Sequence, residues 1–170
     1  MIEIRLLTPK DNRKDFDCGN IELNYYFQRF AGQNQFKNFI GSNYIVINDG
    51  EILGFMSVST GEIYKQSLPP DNGKTLPNYP LPIIKLTRLG VKTSYQKSGI
   101  GKLLIQHLLK LALEQKKSFG CIGVLVDAKE DAINYYTRLG FIHLEEIEKS
   151  HRNLHSALMY LSIKTIEKTS

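Results

Sequence analysis

The sequence predicts an α/β fold of the mixed α+β type: a central, mostly antiparallel sheet with helices on both faces. Three observations predict it. Strand-like runs joined by a tight-turn signal fill the first half, strands and helices alternate in the second, and one long amphipathic helix lies between. The 170-residue length suits one domain, expected to span residues 1–170, and suffices to bury a core without disulfide or metal.

In order along the chain, Ile2–Leu7 reads as a strand. Asn20 is placed to cap a helix in which Leu23, Tyr26, Phe27 and Phe30 recur at helical spacing. Gln33–Asn38 reads as a second short helix, and Tyr44–Ile47 and Ile52–Ser59 as strands. Asn48-Asp49-Gly50 between those strands is a hairpin signal. Five of the six prolines fall in Leu68–Pro82, an ordered excursion within the domain. Ile83–Val91 is aliphatic and β-branched, hence a strand. In Gly99–Gln115, residues Ile100, Leu103, Leu104, Leu108, Leu111 and Ala112 form one apolar stripe. Cys121–Val126 is a continuous apolar run, expected as a buried strand. Ala128–Leu139 reads as a helix ended by Gly140, and Phe141–Leu144 and Ala157–Ile163 as closing strands.

Composition excludes several classes. The chain is 42% hydrophobic and 23% charged, ordinary for a globular protein and unlike disorder, collagen or coiled coil. Its formal charge of +5 reads either as a lysine-rich surface or as a match to an acidic partner such as a nucleotide or nucleic acid. Cys18 and Cys121 form no CxxC pair, and the four histidines lack metal-ligand spacing, so neither a disulfide scaffold nor a metal site is expected. The N-terminus meets charge at once, unlike a signal peptide, and no apolar run approaches the roughly 20 residues that span a bilayer. A cytoplasmic protein with reduced thiols is expected.

Two segments carry chemistry. In Val91–Lys102 a strand ends, a loop carries Gln96, Gly99 and Gly101, and a helix begins. A helix start offers unpaired amides and a positive dipole end, and glycine admits a phosphate close to the backbone, so such a turn can cradle a diphosphate. It has neither the G-K-[ST] ending of a Walker loop nor the G-x-G-x-x-G spacing of a dinucleotide fold. Taken alone, Gly99-x-Gly101 is equally an ordinary helix start. In Asp131–Phe141, neighbouring Tyr135 and Tyr136 point about 100° apart on a helix, so one packs while the other faces a site. Tyr136 suits a general acid that protonates a thiolate; the alternative is a pair of core aromatics.

Together these segments resemble the GNAT N-acetyltransferase superfamily. Gln96, Gly99 and Gly101 match its Q/R-x-x-G-x-G/A motif, and Tyr136 with Gly140-Phe141 its later signature. The resemblance implies the GNAT fold and acetyl-CoA as cosubstrate. It implies contacts from the backbone of Leu89, Gly90 and Val91 to pantetheine and from Gln96, Lys97, Ser98, Gly99, Ile100, Gly101 and Lys102 to diphosphate, with a further cofactor contact at Asn134. Tyr136 is the implied catalytic acid.

A narrower likeness rests on Phe16–Gly19, Leu23 and Phe27, Gly54–Ser59, Leu76–Pro82 and Thr87–Val91. This string is similar to the GNAT toxins of type II toxin–antitoxin modules, which acetylate the α-amino group of aminoacyl-tRNA and so block translation. A ribbon-helix-helix antitoxin and a homodimer are the implied partners, with no membrane. Gly90 replaces the Ala common in that family, Lys92 a frequent Asp, and Tyr135 a common Phe. Arg13, Lys14, Arg29, Lys37, Lys85, Arg88 and Lys92 are candidate phosphate contacts, Arg88 foremost as one strand position from the expected site and Lys85 and Lys92 next as tRNA contacts; the alternative for each lysine is a solvated surface residue. An α-amine, with pKa about 7.7–8.0, is about a tenth neutral at pH 7, whereas a lysine near 10.4 is not, so only the latter demands a strong base. The strand Ile83–Val91 holds no carboxylate, which favours the low-pKa amine. The alternatives are acetylation of a small amine, a polyamine or a protein N-terminus, or a non-catalytic acyl-CoA-binding module.

Overall fold

A computed structural model of the chain describes residues 1–73, 75–144 and 156–169. Among the described residues there are seven strands and five α-helices, in the order β1 (Ile2–Leu6), α1 (Ile21–Arg29), β2 (Ser42–Asn48), β3 (Glu51–Ile63), α2 (Pro70–Gly73), β4 (Leu81–Val91), α3 (Ile100–Ser118), β5 (Gly123–Lys129), α4 (Ile133–Arg138), β6 (Ile142–His143), β7 (Ser156–Ser162) and α5 (Ile163–Thr169). The strands form one seven-stranded sheet in the order β1-β2-β3-β4-β5-β7-β6. The pairs β1–β2, β2–β3, β5–β7 and β6–β7 are antiparallel.

The chain comprises two compact units. The first holds Met1–Ser59 and Leu86–Leu108. Asn20 caps α1, its side chain accepting from Leu23 N at 3.0 Å, as its position before the apolar stripe leads one to expect. The Gln33–Asn38 helix is a five-residue π-helical turn, Gln33–Lys37. The β2–β3 hairpin pairs Asn48 with Glu51 around Asp49-Gly50, as the turn signal requires. Between α1 and the strands lies an aromatic core. Phe27 and Phe55 stack at 4.2 Å and 13°, and Phe16 meets Phe27 edge-on at 4.9 Å.

The second unit holds Thr60–Lys85 and Leu109–Ser170. Ile63, Leu68, Leu81, Ile83, Leu125 and Tyr160 form its core. Leu68 and Leu81 thus anchor both ends of the Pro-rich excursion, which contains α2.

Several boundaries differ from the sequence reading: β3 runs on to Ile63, β4 starts at Leu81 and α3 runs on to Ser118, and three further differences lie in the second half. The Cys121–Val126 strand begins at Gly123 and continues to Lys129, because its register with β7 runs unbroken from Gly123↔Ser162 to Lys129↔Ser156. The helix expected from Ala128 therefore begins only at Ile133, after a 3-10 turn over Glu130–Ala132, and its N-cap, Ala132, offers no side-chain bond. The last strand stops at Ser162, whose hydroxyl accepts from Thr165 N at 3.1 Å and caps α5, a helix the sequence reading omitted. Cys18 and Cys121 are buried thiols not joined to each other. Among the described residues no helix is long and apolar enough to cross a membrane, and no His/Cys/Asp/Glu group could hold a metal.

Candidate coenzyme and acceptor site

In the first unit the chain leaves β4 at Val91 and makes a 3-10 turn over Thr93–Tyr95. Lys92 N donates to Leu53 O (2.8 Å) and Thr93 N to Asp17 O (3.0 Å), which fix the start of the turn. Gln96 is a strut: its Nε2 donates to Cys18 O (2.9 Å) and Val91 O (3.1 Å). The side chain therefore shapes the loop by holding two backbone carbonyls together. The Ser98 hydroxyl closes on Tyr95 O. Lys97 and Gly99 have positive φ, 64° and 95°, a conformation natural to glycine and strained for lysine.

The next backbone bond is Leu103 N to Gly99 O, the first of α3. Among the described residues the amides of Lys97, Ser98, Gly99, Ile100, Gly101 and Lys102 make no backbone–backbone hydrogen bond of normal geometry. A Cβ at Gly99 would meet no atom within 4 Å. Six open amides at the positive end of a 19-residue helix fit a diphosphate. The helix start is itself seated by Gly54 on β3, where a Cβ would lie 2.9 Å from Ile100 Cγ2 and 3.3 Å from Leu104 Cδ1.

Leu89, Gly90 and Val91 precede this turn directly on β4. Gly90 has a local cause: a Cβ there would lie 2.9 Å from Phe55 Cε1 and 3.3 Å from Cys18 Sγ. Arg88, half-buried, has its Cζ 3.6 Å from the Tyr26 ring centroid. Lys92 is engaged, its Nζ 2.8 Å from Glu51 Oε1, and that hydrogen bond raises its pKa. Arg13 donates to Phe27 O at 2.9 Å, and burial lowers its pKa. With Lys14, Arg29, Asn12, Gln28 and Asp11 it lines a cavity of about 410 Å³. Lys37 closes the π-helical turn.

Lys85, Asn134 and Tyr136 belong to the second unit, where Lys85 and Asn134 are exposed. Tyr136 is 4% exposed. Its ring meets Tyr135 and Phe141 edge-on, each at 5.4 Å. Burial, with Tyr135 as a lesser cause, pushes its phenol far above the ordinary value, so it keeps its proton at any physiological pH. Two backbone bonds lock its helix end: Phe141 N to Tyr136 O (3.1 Å) and Gly140 N to Thr137 O (3.0 Å). This is a Schellman motif, with Gly140 at φ 100° and the Tyr136–Phe141 contact as its hydrophobic clasp. The Tyr…Gly-Phe signature thus has a geometric basis. Tyr135, the expected packing partner, is half-buried, and its buried hydroxyl has no hydrogen-bond partner among the described residues.

The sequence reading missed Tyr26, Asn43 and Ser57, a buried polar trio beneath Arg88. The available signal was polarity at Asn43 and Ser57 inside otherwise apolar strands.

The chain is 26% identical to the tRNA-acetylating toxin of Mycobacterium tuberculosis over 159 residues, 88% of this chain and 94% of that protein. Its fold matches that of AtaT complexed with acetyl-methionyl-tRNAfMet, with a TM-score of 0.87, 25% identity and 99% of each chain covered. It matches AtaTR bound with AcCoA at a TM-score of 0.79 and 26% identity, covering 99% of this chain and 97% of that one. The acetyltransferase (GNAT) domain profile matches residues 41–143, which include β4, the open-amide turn and Tyr136, and the chain therefore belongs to the GNAT acetyltransferase family.

Proposed function

We propose that this chain is an acetyl-CoA-dependent N-acetyltransferase, a toxin that acetylates the α-amino group of aminoacyl-tRNA and thereby blocks translation. The run of six open amides after β4 carries the cosubstrate half of this reading. The substrate half is supported by the two relatives named for tRNA, and by β4, which holds no Asp or Glu along its eleven residues. An acceptor strand without a base suits an amine that is already partly neutral at pH 7.

The turn amides bind the coenzyme diphosphate, and the backbone of Leu89–Val91 pairs with the pantetheine arm as an added strand. Asn134 adds a contact from α4. Bound acetyl-CoA supplies a thioester carbonyl to the amine. Tyr136 donates its proton to the departing sulfur as the C–S bond breaks and the N–C bond forms, and the amine gives up a proton to solvent. Arg88 and Lys85 contact RNA phosphate; Lys92 does so only by leaving Glu51. Residues 1–170 act as a single N-acetyltransferase domain in the cytoplasm, held in check by a ribbon-helix-helix antitoxin and able to pair as a homodimer.

The test is incubation with labelled acetyl-CoA and either charged or uncharged tRNA. Label on charged tRNA alone is expected. Transfer to polyamines or lysine peptides without tRNA would replace this substrate, and coenzyme binding without any transfer would replace catalysis.

A further inference from the structure

Arg88 differs from the other half-buried arginines of the first unit. Arg5 is satisfied by Asp11 through two bonds of 2.7 and 2.8 Å, and Arg13 by Phe27 O. The Arg88 guanidinium has no hydrogen-bond acceptor among the described residues; its contact is the face of the Tyr26 ring. Its Cζ lies over the ring, 3.6 Å from the centroid, a distance that favours a guanidinium lying flat on the ring with its N–H donors directed outward.

The ring beneath is itself held. Tyr26 is 8% exposed, and its hydroxyl donates to Asn43 Oδ1 at 3.2 Å. Asn43 Nδ2 donates to Ala31 O (3.0 Å) and Gln35 Oε1 (3.1 Å), so its oxygen must face Tyr26. The Ser57 hydroxyl joins both, 2.5 Å from Asn43 Oδ1 and 3.4 Å from the Tyr26 oxygen. The Ser57 carbonyl accepts from Thr87 Oγ1 at 3.1 Å, tying β3 to the residue before Arg88. Asn43 and Ser57 are 1% and 4% exposed. A phenylalanine would supply the same ring without burying a polar trio. What the trio adds is a fixed ring position.

A planar cation held on one face, with its in-plane donors free, matches two oxygens of a phosphate. We propose that Tyr26, fixed by Asn43 and Ser57, is a positioning residue that presents Arg88 as a bidentate seat for a phosphodiester of the RNA acceptor end. This rests on the aminoacyl-tRNA reading above. The same chemistry would also suit a phosphate of the coenzyme, and separate KM values tell the two apart.

The experiment uses the full chain and measures KM for aminoacyl-tRNA, KM for acetyl-CoA, and binding of uncharged tRNA across salt concentrations. Arg88→Gln is expected to raise KM for aminoacyl-tRNA about tenfold and to lower the salt slope by about one, with KM for acetyl-CoA unchanged. Arg88→Lys should resemble Arg88→Gln, because a point charge lacks the fork. Tyr26→Leu should reproduce most of the KM rise although the charge remains, and the Tyr26→Leu/Arg88→Gln double variant should be no worse than Arg88→Gln alone. Should Tyr26→Leu not fold, Tyr26→Phe, expected to cost about two- to threefold in the same KM, takes its place in the cycle. Full rescue by Arg88→Lys, additive effects in the cycle, or a rise confined to KM for acetyl-CoA would overturn the proposal. A wild-type chain that fails to acetylate aminoacyl-tRNA, yet shows the altered salt slope in Arg88→Gln, would sink the substrate reading and leave the phosphate seat standing. Normal acetylation with an unaffected Arg88→Gln would sink the seat alone.

Discussion

Alanine at position 90, common in the toxins this chain is similar to, should destabilise this protein. The new Cβ would stand 2.9 Å from Phe55 Cε1 and 3.3 Å from Cys18 Sγ. Ordinary carbon contacts lie at about 3.5–4.0 Å, so the ring must retreat by roughly 0.6 Å or more. Phe55 has nowhere to go: it is fully buried, stacked on Phe27 at 4.2 Å and met edge-on by Phe16 at 5.5 Å. Overpacking of this kind costs about 1–3 kcal/mol, and the entropy lost from the unfolded chain returns about 0.4–1. A net loss of about 1–2 kcal/mol corresponds to a Tm lower by roughly 2–8 °C at this size. Calorimetry or urea unfolding with an unchanged m value measures it. Because Cys18 O also receives the Gln96 strut, acetyl-CoA binding should weaken in parallel. Phe55→Leu in the same chain should cost less than the two single losses added together. An unchanged or raised Tm for Gly90→Ala would refute the reasoning.

Tyr136→Phe should retain acetyl-CoA binding by calorimetry while kcat falls roughly 10²–10⁴-fold; undiminished kcat would remove the phenol from the mechanism. Gly140→Ala forces a side chain into φ 100° and should lower both Tm and kcat, with KM for acetyl-CoA less affected, as thermal melts and steady-state kinetics would show. Asp11, held down to about 2 by its hydrogen bonds from Arg5, contributes stability that is complete above its unfolded value near 3.8 and is lost as pH falls toward 2. Asp11→Asn should therefore flatten the acid limb of a stability–pH curve, and an unaltered limb would remove the pair as its cause.

Local signals carried much of the fold. Asn20 before an apolar stripe, Asp49-Gly50 between alternating strands, and the long stripe of α3 each specify their element within a few residues. The β5–α4 boundary was not legible, because nothing in Ala128–Ala132 announces it: strand pairing with β7 decides it, and Ala132 supplies no cap. The turn proposed to seat the diphosphate could be read because its amides follow from the backbone path that glycine allows. The Tyr26–Asn43–Ser57 trio could not, since it joins α1, β2 and β3 across separations of 14 to 31 residues. Gly90 looked like a departure from a family pattern and became intelligible only with Phe55 and Cys18 beside it.

The clasp at the end of α4 sets a rule for length. Six residues make too short a helix to hold a side chain by its own cooperativity, so the aim of Tyr136 is fixed from downstream, by Gly140 and Phe141. Lengthening the 3-10 turn before the helix moves the approach and leaves that aim intact. One residue added or removed between 136 and 141 breaks both backbone bonds and swings the ring away from its neighbour. The count of residues across this short span therefore sets the aim of the phenol that the proposed mechanism uses.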